Sequence, residues 1–391
     1  MIRLIIFLVS AVLLITCRSG NSELKEAEQI SKSVSDQFIP DNREDLYQVH
    51  FSTSGKSLVA IGETTNAEAK DALSSRLKNL ASPILDSIKL LPDITLGTNT
   101  WGLVTISVCN IRSNPGHSSE MSTQAILGTP VRVLKKSGSW LFIQTPDHYL
   151  GWVDDDALQQ TDSTGMEAWK KAKRFFYLPL VGTGTDPVTK EAVTDLVAGS
   201  ILKLDTFSKT EALLEMPDGR KLSVPASDGI DFDLWKKQTE ANLFSLSSTA
   251  RTLMGRPYLW GGTSSKGVDC SGFVKTVFFL NGIILARDAS LQFRHGQFTD
   301  PQNGYNALKP GDLVFFGRKA KGDKPARATH VGMYLGNGDY INSSGYVKIN
   351  SFSPDQKTYA KYREGMWLGG RTILGSEGSK GIVKVKDHPW Y

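Results

Sequence analysis

The sequence predicts an α+β multidomain chain. A C-terminal domain of helices packed on an antiparallel sheet follows two small β-barrels and a small α+β unit. Three observations carry this. The chain has 391 residues, more than the ~100–200 of one ordinary domain. Hydrophobic residues make up 40% and charged residues 22%, the balance of a globular protein. The apolar pattern also changes along the chain, from mixed helix and strand spacing to short strands with frequent turns, then to an apolar helix and buried strands. The 45 basic and 40 acidic side chains leave a formal +5, too even for nucleic-acid binding through bulk charge. Only Cys17, Cys109 and Cys270 occur among cysteines, so a disulfide scaffold and a four-thiolate metal site are both excluded. The six histidines are scattered, and no metal or other cofactor is expected.

Taken in order, Arg3 is the only charge before Cys17, and Leu4 to Ile15 is apolar except for Ser10. Twelve helical residues span ~18 Å, short of a ~30 Å hydrocarbon core. A basic start and a short apolar run make residues 1–16 a secretory signal; a buried N-terminal helix is the alternative. Leu14-Ile15-Thr16-Cys17 resembles a bacterial lipobox, with Thr16 where Gly, Ala or Ser is usual. That resemblance implies lipid on Cys17 and an exported protein anchored to the membrane, in the periplasm or at the cell envelope. Residues 17–29 read as a tether. Residues 30–98 read as the α+β unit, with strands near 46–51, 57–61 and 86–91 around a helical pattern from Asn66 to Leu80.

Short strands at Val104–Val108, Pro130–Leu134, Trp140–Gln144 and Gly151–Val153 imply a small barrel over 99–160. Cys109 lies in one of its β-runs and reads as a packed core thiol. Residues 165–235 read as a weaker second copy, with strands at Phe175–Leu180, Ser200–Asp205, Glu211–Met216 and Lys221–Val224. One helix is expected from Asp231 to about Arg251. The most informative segment follows, over 245–375, and a Gly-rich tail closes the chain over 376–391.

In that segment a glycine-rich loop delivers Asp269 and Cys270 to the start of an apolar helix, Ser271 to Leu280. A cysteine at a helix N-terminus meets unpaired N–H groups and the positive end of the dipole. Such a place is expected to lower the thiol pKa, and the thiolate is the nucleophile. A lone cysteine is inert by default, but the flanking glycines and Asp269 argue against that here. A thiolate peptidase also needs a base and a group that orients it. His330 begins a strand, Gly336-Asn337-Gly338-Asp339 makes a hairpin turn, and Asn342 lies on the returning strand. The hairpin brings His330 and Asn342 together, and an Asn can hold one imidazole nitrogen while the other takes the thiol proton.

The motifs Arg-Pro-Tyr-Leu-Trp-Gly-Gly, Asp-Cys-Ser-Gly-Phe, Arg-Asp-Ala-Ser, Pro-Gly-Asp-Leu-Val-Phe-Phe and His-Val-Gly-Met-Tyr, in this order between Arg256 and Tyr334, resemble the NlpC/p60 family of papain-like cysteine peptidases. These cut peptides of the bacterial cell wall. The resemblance places the nucleophile on Cys270, the base on His330 and the third polar residue on Asn342, where many members have His. Asn110-Ile111-Arg112, Ser139-Trp140 and Tyr149 to Val153 resemble bacterial SH3-like domains, so the two barrels are expected to be SH3-like. That combination is similar to the branch that cuts the γ-D-glutamyl-L-diamino-acid bond of murein stem peptides. These enzymes require a free N-terminal L-Ala and release L-Ala-γ-D-Glu. The branch implies Asp288 as an acid for the substrate ammonium, and Tyr258 and Trp260 as aromatic walls. It also implies Ser271 as a substrate contact, and Glu120 and Tyr149 as the acid and tyrosine lent by the first barrel. Glu120 could instead be a solvated loop acid and Tyr149 a barrel residue. Two other readings stand beside this one. One is a wall-binding lipoprotein with an inactive peptidase domain; the other is an amide or acyl transferase using the same site.

Overall fold

Residues 20–391 are described by a computed structural model, and the chain divides between Leu91 and Pro92 into two units. The expected signal segment and Cys17 lie outside the described residues. Among the described residues no helix is long and apolar enough to cross a membrane.

The first unit begins earlier and ends earlier than its sequence suggests. Helix α1 runs Gly20–Phe38, so most of the expected tether is helix. Leu24, Ala27, Ile30, Val34 and Phe38 recur at three- and four-residue steps and join the core. Charged residues crowd the other positions and hide this stripe from a composition reading. Strands β1 (Tyr47–Ser54) and β2 (Ser57–Thr64) form a hairpin. Helix α2 (Ala67–Leu77), capped by Asn66, crosses to β3 (Ile84–Leu90), parallel to β2. Leu58, Ala60, Leu73, Leu77 and Ile88 fill the space between helices and sheet.

In the second unit, β4 (Trp101–Val104), β5 (Val108–Arg112), β6 (Met121–Ile126), β7 (Pro130–Ser137), β8 (Trp140–Gln144), β9 (Leu150–Asp154) and β10 (Leu158–Thr161) make a seven-stranded antiparallel sheet. Its order is β10-β4-β7-β8-β9-β5-β6. Helix α3 (Ser163–Lys171) leads to β11 (Arg174–Tyr177), β12 (Val181–Thr185), β13 (Ala192–Val197), β14 (Ile201–Phe207), β15 (Glu211–Glu215), β16 (Lys221–Pro225) and β17 (Gly229–Asp231). Their order is β13-β12-β16-β15-β14-β11-β17. Read from the other edge, this is the first order strand for strand, so the two small domains share one topology. The hairpin β12–β13 went unread in the sequence because its strands are Gly- and Thr-rich and largely solvent-facing. Cys109 is a core residue of the first sheet, packed with Val104, Ile111, Val131 and Ile143.

The single helix expected after Asp231 is two helices, α4 (Phe232–Gln238) and α5 (Leu243–Thr252). Asn242 and Ser245 exchange side-chain and backbone hydrogen bonds in a capping box that starts α5 afresh. Helix α6 (Cys270–Leu280) packs with α5 against a six-stranded antiparallel sheet. Edge to edge its strands are Gln297–Thr299, Trp367–Thr372, Leu313–Arg318, Arg327–Gly336, Asp339–Ser344 and Tyr346–Ser351. Phe273, Val274, Val277 and Phe278 meet Leu313, Phe315, Val331 and Ile341 in one buried core.

The expected tail is no tail. Ile382–Lys384 pairs with Ile283–Leu285, and His388 Nε2 donates to the Pro146 carbonyl at 3.0 Å in the first barrel. Trp390 sits edge-on to Trp101, and Tyr391 packs on Phe232 and Phe279. The segment therefore ties the catalytic domain to the first barrel and to α4.

Candidate active site

Asp269 defines the start of α6. Its Oδ1 accepts the Gly272 N–H at 2.7 Å, the N-cap bond, so Cys270 becomes the first helical residue. A side chain at Gly272 would overlap the Gly262 carbonyl, which is why the loop can press against the first turn. The Asp269 carboxylate also accepts from Gly261 N–H, the Ser271 hydroxyl and both Nη atoms of Arg287. Arg287 is buried, and its Nε donates to Thr123 Oγ1 of the first barrel at 2.8 Å. One guanidinium–carboxylate pair thus fixes the loop, the helix start and the barrel. Ser271, expected to contact substrate, spends its hydroxyl in this network.

His330 and Asn342 approach across the hairpin closed by Asn337 and Gly338, which both have positive φ. The ring Nε2 lies 2.8 Å from Asn342 Oδ1. The Asn342 amide nitrogen donates to Lys348 O at 3.3 Å and Asn350 Oδ1 at 3.0 Å. This assigns its oxygen to His330, so Nε2 carries the proton and Nδ1 is left as an acceptor. Gly332 makes the approach possible: a Cβ there would stand 3.1 Å from the Asn342 Cβ. Just before His330 the ladder slips, since Phe316 pairs with His330 and Gly317 with Ala328. The resulting bulge at Thr329 re-aims the strand beside the site. Cys270 packs in the same core as Val331, the next residue along.

The electrostatics differ from the helix-dipole expectation. Burial, and then the Asp269 carboxylate, push the Cys270 thiol up to about 11, over opposing hydrogen bonds from the Val331 and Ser271 N–H groups. Burial and the charge of Arg363 lower His330 to about 3, against the Asn342 bond. Desolvation outweighs the dipole because a buried thiolate beside a buried carboxylate loses more solvation than one helix end returns. Both shifts favour the uncharged forms, a thiol at Cys270 and a neutral imidazole at His330. Burial would raise the Asp269 carboxyl too, but Arg287 brings it below its ordinary value.

The remaining expected residues form two pairs between the first barrel and the catalytic domain. Tyr149 Oη donates to Asp288 Oδ2 at 3.0 Å, and Trp260 Nε1 donates to Glu120 Oε1 at 2.8 Å. Trp260 is otherwise exposed, while Tyr258 is half-buried, with its hydroxyl pKa raised by burial and by Cys270 and Asp269. The turn that carries Tyr149 is itself anchored, since Asp147 pairs with Lys275 of α6 at 2.6 Å.

A model of the NlpC/P60 family matches residues 255–369, and a model of the bacterial dipeptidyl-peptidase SH3 domain matches residues 111–158. The chain carries an NlpC/P60 cysteine peptidase domain. Over 239 residues the chain is 29% identical to a gamma-D-glutamyl-L-lysine dipeptidyl-peptidase of Bacillus cereus, covering 58% of this chain and 68% of that one. Over 268 residues it is 25% identical to dipeptidyl-peptidase 6 of Lysinibacillus sphaericus, covering 66% and 93%. A crystal structure of an NlpC/P60 family protein from Bacillus cereus shares the fold. It has a TM-score of 0.59 and 22% identity, over 70% of this chain and 99% of that one.

Within this NlpC/P60 site, Arg287, Thr123, Lys275 and Asn350 were not singled out from sequence. Only Arg287 had a cue, its place beside Asp288. The raised thiol gives a direct test. The rate of iodoacetamide labelling at Cys270 is expected to climb about tenfold per pH unit between pH 7 and 9, following the thiolate fraction. Cys109, buried in the barrel core, is expected to stay unlabelled. A rate flat from pH 6 upward, read by mass spectrometry, would instead reveal a resting thiolate–imidazolium pair.

Proposed function

We propose that the enzyme hydrolyses the γ-D-glutamyl-L-diamino-acid bond of murein stem peptides whose N-terminal L-Ala is free, releasing L-Ala-γ-D-Glu. The observation that carries this reading is the pair of contacts from the first barrel, Tyr149 to Asp288 and Glu120 to Trp260. They bring two carboxylates to the junction of the first barrel and the catalytic domain, the chemistry an ammonium requires. The names of the relatives in Bacillus cereus and Lysinibacillus sphaericus support the same bond.

In this reading Cys270 Sγ attacks the D-Glu side-chain carbonyl, and its proton passes to Nδ1 of His330. Asn342 holds the Nε2–H and so the ring orientation. The Cys270 backbone N–H, at the helix start, faces the developing oxyanion. His330 then returns the proton to the leaving amine, and a water completes hydrolysis of the thioester. Tyr258 and Trp260 wall the acyl part of the substrate. An acylated L-Ala would leave Asp288 and Glu120 facing an amide that cannot neutralise them. The expected result is that free-amine L-Ala-γ-D-Glu-L-Lys is cut at least about 100-fold faster than its N-acetyl form, a difference of ~2.7 kcal/mol. Equal rates, measured by product chromatography, would overturn the reading.

A further inference from the structure

The charges around the cleft are segregated. Asp288 and Glu120 stand on the barrel side, whereas the cations nearest His330 lie on the far strands and the loop beyond them. Arg363, on the short helix Lys361–Glu364, places its Cζ 5.4 Å from the centre of the Phe316 ring. That ring lies 6.0 Å from the His330 imidazole. The Arg363 guanidinium bonds to the Tyr362 hydroxyl, its Nε is buried with no hydrogen-bond partner, and it pairs with no carboxylate among the described residues. Its neighbour Glu364 bonds instead to Tyr359. Lys348 sits directly opposite Asn342 in the strand register, hence on the same face of the sheet, with its Nζ 5.0 Å from the centre of the Tyr346 ring. Both cations act on His330, and Arg363 also acts on Tyr258.

A half-buried guanidinium without a counter-ion is costly unless a ligand supplies one. The murein peptide has matching polarity, an ammonium at the L-Ala end and a carboxylate beyond the scissile bond. We propose that Arg363, assisted by Lys348, forms a carboxylate-binding subsite on the leaving-group side of Cys270. This rests on the bond assigned above and deepens it. The subsite takes the α-carboxylate of the leaving diamino acid and disfavours a bare side-chain ammonium. Diaminopimelate, whose side chain ends in both an ammonium and a carboxylate, is therefore preferred to lysine.

The test uses the full chain with L-Ala-γ-D-Glu-L-Lys, its C-terminal amide and its diaminopimelate analogue. In the wild type, kcat/KM is expected to fall at least about tenfold from the free acid to the amide, mainly through KM, and to rise from lysine to diaminopimelate. Arg363→Gln should bring the acid-to-amide ratio to within about twofold of unity, Arg363→Lys should restore part of it, and Lys348→Gln should narrow it less. An unchanged ratio in Arg363→Gln, or no acid-to-amide difference in the wild type, overturns the subsite while leaving the bond assignment intact. Failure to cut any of the three at the γ-D-glutamyl bond overturns both.

Discussion

Cys270→Ala is expected to lower turnover of free-amine murein tripeptide by about 10⁴-fold or more, because no other group in the site can form the acyl intermediate. The thiol is buried in the core that joins α6 to the sheet, and removing one sulfur there costs only ~1 kcal/mol. The variant should therefore melt within a few degrees of the parent, which separates loss of chemistry from loss of fold. His330→Ala should lose a similar amount, since a thiol at about 11 supplies almost no thiolate at neutral pH without a base. Asn342→Ala should lose less, because it acts through the imidazole ring, and its loss should fall on kcat rather than KM. Turnover persisting in Cys270→Ala, followed by chromatography of L-Ala-γ-D-Glu, would place the nucleophile elsewhere and remove the basis for the mechanism.

What could be read from sequence had local causes. Asp269, Cys270 and Gly272 each have a task within one helical turn: cap, first position and close approach. The order of residue types therefore reveals the geometry. His330 and Asn342 were legible because Asn337-Gly338 fixes a two-residue hairpin, and the hairpin fixes the register. The rest depends on partners far along the chain. Arg287 meets Thr123 from 164 positions away, and nothing local distinguishes a buried guanidinium from a solvated one. The segment after Gly375 looked like a tail because its glycines and lysines suit solvent, yet Ile382, Val385 and His388 are buried. The thiol pKa was misjudged for the same reason: the dipole is a property of the helix, whereas desolvation is set by the whole fold. Helix α1 was hidden by its own charged face.

Arg287→Met is expected to be the most destabilising single change in the second unit. It strands the buried Asp269 carboxylate, and breaking a buried pair by removing one partner costs roughly 3–5 kcal/mol. At a few degrees per kcal/mol, melting should fall on the order of 10 °C. The same change removes the link to Thr123, so the grip of the first barrel on the cleft should weaken and discrimination against N-acetyl substrate should decline with it. The pH dependence identifies the cause. In the wild type Asp269 is held below its ordinary value, so its contribution is complete above the unfolded carboxyl value of ~3.9 and is lost only as pH falls through the lower folded value. In Arg287→Met burial is opposed only by the hydrogen bonds from Gly261, Gly272 and Ser271, and it raises the carboxyl. Protonation then relieves the stranded charge, and the gap between variant and wild type should narrow as pH falls from 7.5 to 5. Asp269→Asn combined with Arg287→Met should recover part of the loss at pH 7.5, since no buried charge is left unpaired. Calorimetric melts of the three proteins at both pH values decide the matter, and a gap that is constant with pH would assign the loss to packing rather than to the ion pair.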